Sequence, residues 1–338
     1  EAKLFIADNT FPYWDGNVGR CQFVILSFTT YLLSRLIQRR FPLIKNQKKA
    51  YIYALSSVLL WSTVASAFKL SLAYFDALNL LLYASFFSLC VFFCAMGYQR
   101  KFHILLTYSK KTYFKLALLG LINPFIYYLV LFRAYELLPA QEAQPINYTW
   151  ALTLTYLSVF ILKQKISVYD FLAGLICYCG VLIISTHGDL WSFSFSSLIG
   201  VVLALFSTVL WSLYWIYNTK LHVDPLIGLF INFCFGVPAI LLYAFMTPHP
   251  LVFNLYGFLG SMYVGVFEMG ITFILWLQAM KLSTNTAKIA NLIFISPFLS
   301  LAFITIFVGE TILLSTFIGL IFIIMGLFLQ QRVKKVDR

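Results

Sequence analysis

Charge is what this sequence has least of. Of its 338 residues, 11% are Asp, Glu, Lys or Arg, and only 12 are acidic. A soluble domain of this length needs far more polar surface, so that class is excluded. Metal and disulfide chemistry are equally thin. The four histidines (His103, His187, His222, His249) fall in predicted loops, and the six cysteines show no CxxC spacing. Five of those six cysteines lie inside apolar runs, where cysteine packs as a small core residue; no metal site and no disulfide framework is expected. There is no HExxH, GxGD or Walker A pattern and no acidic cluster at depth, so neither an intramembrane enzyme nor an ATPase is expected, and no cofactor.

Apolar residues are what the chain has in excess: 61% of the total, with a mean hydropathy of +0.87. Nearly uncharged runs recur along its length, each able to cross roughly 30 Å of hydrocarbon. The runs are continuous rather than alternating, so they read as helices and not barrel strands. Ten spans are predicted, at 50–68, 78–98, 114–134, 140–162, 168–186, 195–217, 225–246, 256–280, 285–308 and 312–330.

The net charge of +12 points to membrane topology rather than nucleic acid, because no arginine-rich arm or nucleic-acid motif accompanies it. With the segment before residue 50 in the cytoplasm, seventeen basic residues fall on the inner side and only Lys69 and Arg133 on the outer. That bias places both termini inside and calls for an even number of spans in an inner, plasma-type membrane. Residues 1–49 stand apart. Their apolar stretch 22–34 is short for a crossing and is followed, not preceded, by Arg35, Arg39 and Arg40. It reads as an interfacial helix or a leader, with an eleventh crossing as the alternative.

The ten spans divide into two sets of five, 50–190 and 191–331, before a basic tail at 332–338. "LLWSTVASAFK" (59–69) resembles "VLWSLYWIYNTK" (209–220), and an offset of 145 aligns 132–183 with 277–328 at eight identities in 52 positions. Because five is odd, the second set enters from the opposite face. Inverted repeats of this kind place a solute site near the midplane between the halves.

Several stretches resemble the drug/metabolite transporter superfamily, EamA type. "WSTVASAFK" is similar to its first-helix pattern, and 295–329, with Pro297, Glu310, Gly319 and Gly326, to its C-terminal signature. "QEAQPINYTWALT" (141–153) is similar to the aromatic amino acid exporter branch in Asn147, Tyr148 and Trp150, but has Ala151 where that branch has proline. The resemblance implies ten helices in two inverted repeats and secondary transport of a small amphipathic metabolite, such as an amino acid. S-adenosylmethionine or another nucleoside-like solute is the alternative, and a receptor or structural membrane protein the non-transport one. A small molecule and membrane lipid are the implied partners, with the chain monomeric or homodimeric.

The candidate site residues are the polar and aromatic groups at depth. Glu268, mid-span in "GSMYVGVFEMG", needs a cavity, a partner or a proton, and is the candidate for proton or cation coupling. Asn147, Tyr148 and Trp150 open the fourth span; Trp61 and Ser62, then Trp211 and Tyr214, form the paired first-helix motifs; Asn218, Trp276 and Asn291 complete the set. Each has a structural alternative as interhelical glue, packing or an aromatic belt. Glu142 and Lys288 read as solvated helix ends, with a gate or interface role as the alternative.

Overall fold

The computed structural model describes residues 46–162, 168–189, 191, 195–221, 223–248, 250–283 and 291–336. The leader expected at the N-terminus, up to residue 45, and Lys288 lie outside these. Among the described residues every regular element is helical. α1 is Gln47–Leu72, α2 Ala77–Tyr98 and α3 Lys110–Leu137. α4 has two contiguous parts, Ala140–Tyr148 and Trp150–Leu162, and α5 is Val168–Ser185. α6 is Leu198–Thr219, α7 Pro225–Met246 and α8 Leu255–Ala279. α9 is Ser296–Val308 and α10 Leu314–Val336. Six of these, α1–α3 and α6–α8, are long and apolar enough to cross a membrane, and shorter apolar helices lie in α5, α9 and α10.

The helix starts are written locally. Asn46, Asp76, Ser109, Ser197, Asp224 and Asn254 each accept a backbone N–H from the first turn of the helix that follows, meeting donors that have no partner inside it. Inside the spans, hydroxyls bond backwards to their own helix: Ser56 to the Ile52 carbonyl, Ser57 to Tyr53 and Ser71 to Ala67. Small residues satisfied in this way let α1 pack closely on its neighbours. Large apolar side chains such as Phe86, Phe93, Phe171 and Leu175 stay exposed, as a lipid-facing surface requires.

Contacts between helices repeat in pairs. α1 packs on α8 and α6 on α3; α2 on α8 and α7 on α3; α1 on α9 and α6 on α4. α2 also meets α7, and α5 meets α10. The fold is therefore two five-helix repeats of opposite sense, interleaved so that each half completes the other. Glycines permit the closest approaches. A Cβ at Gly120 in α3 would run into the Asn232 carbonyl of α7, and one at Gly265 in α8 into the Ala84 carbonyl of α2. Those two glycines are 145 residues apart, like Gly174 and Gly319. At the α5–α10 contact, a Cβ on Gly180 would fall 2.5 Å from the Gly319 carbonyl oxygen, and one on Gly319 2.6 Å from that of Gly180.

α3 is interrupted mid-span by a kink at Leu121–Ile126, and α8 by a π-helical turn, Val264–Ile271. In α3 the interruption holds Asn123 in an extended conformation (φ −138°, ψ 117°) ahead of Pro124, the geometry a following proline favours. In α8 it carries Glu268.

Candidate functional site

Glu268 lies where α8 meets α1 and α3. Its Oε1 accepts from the Tyr128 hydroxyl at 3.3 Å, the Trp61 indole lies beside the carboxyl, and its Oε2 is buried without a partner. The ion pairs among the described residues join Lys101 to Asp224, Arg133 to Glu136 and His187 to Glu142; none reaches Glu268. A carboxyl at this depth, without a cation, carries a proton or awaits a positive group.

Aromatic rings wall this centre. Trp61 meets Trp276 at 5.3 Å between ring centroids and Phe273 at 6.2 Å. From the other half Trp211 stacks on Tyr127 at 4.6 Å and lies 5.8 Å from Phe273. Trp61, Trp215, Trp276 and Glu268 all keep some accessible surface, although Tyr128 and Tyr214 beside them are fully buried. Such a wall presents flat apolar faces with a polar handle at one point.

The fourth span answers why membrane-length sequence opens with so many polar groups. Pro139, at the N-cap of α4, provides no side-chain acceptor, so Glu310 from the α9–α10 turn takes the Ala140 N–H at 2.9 Å and the Gln141 N–H at 3.1 Å. Gln141 uses both ends of its amide: Nε2 donates to the Thr311 carbonyl, and Oε1 accepts from the Leu313 N–H and the Thr316 hydroxyl. Glu142 is 1% exposed, not a solvated helix end, because its Oε1 is held by His187 and Ser196, each at 2.8 Å. Asn147 donates to Ser207 at 2.8 Å, and Tyr148 to Ser296 at 2.7 Å. These polar groups join the first repeat to the second.

The remaining sequence-selected residues fall around this frame. Ser62 meets Ser296 at 3.3 Å, so Ser62, Tyr148 and Ser296 tie α1, α4 and α9 together. Trp150 contributes its backbone carbonyl, which accepts from Ser212. Tyr214 pairs with Asn232 at 3.0 Å, and Asn218 neighbours the same hydroxyl. Trp276 packs on Trp61, as above. Asn291 begins a 3₁₀ turn, Asn291–Ile295; its side chain lies outside the described residues. Sequence reasoning missed Tyr127, Tyr128, Asn123 and Ser296, which look ordinary in apolar runs. The 145-residue offset, extended back to α3, pairs Asn123 with Glu268 and would have singled it out.

An aromatic layer separates the centre from one end of the bundle. Phe68 packs on Phe132 at 4.8 Å and on Tyr135 at 5.2 Å, all three buried, and Phe132 lies 5.4 Å from Tyr128. Beyond it Lys69 donates to the Tyr135 carbonyl at 2.6 Å and borders an open pocket of about 510 Å³ with Glu136, Gln141 and Glu310. Lys69 is eight residues from Trp61, or roughly 12 Å along the helix.

Apolar helices in two interleaved repeats, packed around a polar, aromatic centre, define a multi-pass membrane protein. The chain belongs to the EamA-like transporter family, whose profile matches residues 48–186 and 198–330. An uncharacterized transporter of Clostridium kluyveri is 31% identical over 174 residues, covering 49% of this chain and 55% of that protein. This chain thus spans about half the length of that relative. An uncharacterized transporter encoded in the sor 3′ region of Acidianus ambivalens is 27% identical over 222 residues, 61% of this chain and 80% of that protein. A solved crystal structure matches 87% of this chain and all of its own at a TM-score of 0.61 and 19% identity, which supports the fold.

Proposed function

We propose that the protein is a secondary transporter that moves a small amphipathic solute bearing a positive group, with an amino acid, aromatic ones included, as the leading class. The observation that carries this is Glu268: a carboxyl deep in the bundle, one oxygen unmet, set among Trp61, Trp276 and Phe273. A carboxylate selects an ammonium or a proton, and indoles receive flat or apolar groups. Alternating access follows from two like halves that exchange conformations around a fixed centre. In this reading both termini face the cytoplasm of a plasma-type membrane, as the basic residues direct, and Glu268 couples transport to a proton or cation. A sulfonium-bearing nucleoside such as S-adenosylmethionine is the second reading, since the same carboxylate and indoles suit a cation joined to a ring.

The test is counterflow into proteoliposomes with labelled aromatic amino acids, S-adenosylmethionine and thiamine-like cations, wild type beside Glu268→Gln. Saturable counterflow of one class, lost in the variant, is the expected result. Counterflow unchanged in Glu268→Gln would take the carboxyl off the path, and none with any of these solutes in folded protein would overturn the proposed solute class and leave transport resting on the family alone.

A further inference from the structure

Asn123 is 1% exposed, midway along α3, and neither its Nδ2 nor its Oδ1 has a hydrogen-bond partner. A buried amide with both ends unmet is a costly feature that native proteins rarely keep without use. The Tyr214 hydroxyl is close by, and its 3.0 Å hydrogen bond is with Asn232, whose amide is fully satisfied when its oxygen accepts from Tyr214 and its nitrogen donates to the Leu116 and Gly228 carbonyls. With its proton given to Asn232, Tyr214 offers Asn123 at best an acceptor for Nδ2, and the Asn123 Oδ1 has no donor.

The offset of 145 residues that aligns the halves carries Asn123 onto Glu268. The equivalence is structural too. Both sit where the regular hydrogen-bond pattern of their helix is interrupted, Asn123 at the kink ahead of Pro124 and Glu268 in a π-helical turn of the kind common at functional sites. Each follows by three residues a glycine pressed against a neighbouring backbone, Gly120 and Gly265. Each keeps a polar atom buried and unmet. Tyr128, bonded to Glu268, meets Tyr127 at 4.7 Å; Tyr127 stacks on Trp211 at 4.6 Å, and Trp211 lies 5.9 Å from Tyr214, the neighbour of Asn123, so one run of aromatic rings joins the two positions.

We infer that Asn123 and Glu268 are the two poles of one binding site, Glu268 taking the cationic group of a zwitterionic solute and Asn123 hydrogen-bonding its carboxylate. The difference between the halves is what the site uses. A carboxylate attracts an ammonium, while an amide nitrogen donates to a carboxylate without repelling it, as a second acidic residue would. This rests on the transport reading and narrows it to zwitterions over simple cations.

The experiment measures the Tm of the full chain in detergent, with no ligand and with L-phenylalanine, L-tyrosine or choline, for wild type, Asn123→Leu and Glu268→Gln. Leucine matches asparagine in shape and leaves nothing unmet. Without ligand, N123L is expected to keep or raise Tm, whereas a fall of several degrees would make Asn123 a structural or water-holding amide and overturn the inference. With ligand, N123L should lose the shift caused by the amino acids and keep any caused by choline, and E268Q should lose both; an amino-acid shift undiminished in N123L also overturns it. Ligand shifts of this pattern without counterflow would defeat the transport reading and leave the site standing. If no probe shifts wild type, the assignment of the site to these zwitterions is overturned.

Discussion

The Tyr128 hydroxyl of α3 donates to Glu268 Oε1 of α8 at 3.3 Å, a bond between the two repeats at the centre of the bundle. Both helices are irregular there, so this contact joins two segments able to rearrange. Removing it with Tyr128→Phe keeps the ring and its packing on Tyr127 and Phe132. A bond of this kind contributes about 1 kcal/mol, so transport should change roughly fivefold with little effect on folding. Initial counterflow rates across a pH series check it: an altered pH dependence is expected, and an unaltered profile would mean the tyrosine does not act on Glu268.

Glu310 should matter more for closing one end of the molecule than for the central site. It caps the first turn of α4 from the α9–α10 turn, where Pro139 provides no side-chain acceptor. A carboxylate at a helix N-terminus is favoured by both the free N–H groups and the helix dipole. Glu310→Ala is expected to cost about 1 kcal/mol and to loosen the contact between halves; Glu310→Gln, which keeps an acceptor, should retain part of it. The readout is maleimide labelling of a cysteine placed at Thr311, which borders the adjoining pocket. Labelling should rank Ala above Gln above wild type, and equal rates in all three would sink the idea.

Glu268 and the paired Trp61 and Trp211 could be found in the sequence because a carboxylate in an apolar run and a repeated Trp–Ser are conspicuous against leucine and phenylalanine. The division into two sets of five was legible from hydropathy and loop charge alone. Other features were hidden for physical reasons. Tyr128 and Ser296 are ordinary residues until packing brings them to Glu268 and Tyr148. Glu142 looked like a solvated helix end because its partners, His187 and Ser196, lie more than forty residues away along the chain. Asn147, selected as a ligand contact, donates to Ser207 and so also serves the join between α4 and α6. Polar residues at depth are thus signals of a partner, and sequence does not say whether that partner is a helix or a solute.

Gly120 and Gly265 should fail alike when enlarged. Each presses against a carbonyl of the facing helix, and backbone cannot move aside as a flexible side chain can. Substitution by leucine at either site is expected to destabilise by at least about 1–3 kcal/mol, the usual cost of overpacking. Thermal unfolding in detergent should show similar falls in Tm for the two variants, because the α3–α7 and α2–α8 contacts are repeat equivalents. A large fall for one and none for the other would mean the halves are not energetically equivalent at this contact.

The aromatic layer of Phe68, Phe132 and Tyr135 leads to the last prediction. It lies between the Glu268 centre and the pocket beside Lys69, and its three rings are buried against one another. If the layer is what keeps the centre from that end, shortening one ring should open a path without touching the polar groups. Phe68→Ala leaves the Lys69 bond to the Tyr135 carbonyl and the Tyr128 bond to Glu268 in place. Truncating a buried phenylalanine costs about 3–5 kcal/mol, so the variant must first be shown to fold; Phe68→Leu is the milder companion. A cysteine at Phe273, which faces Trp61 and Trp211 at the centre, reports access. Membrane-impermeant thiol reagent applied from the Lys69 side should label it faster in F68A than in F68L, and slowest with Phe68 intact. Solute retention in loaded proteoliposomes should fall in the same order. Labelling that is equally fast in all three would show that the aromatic layer is packing alone and that closure resides elsewhere, with the Glu310 contact the next place to test.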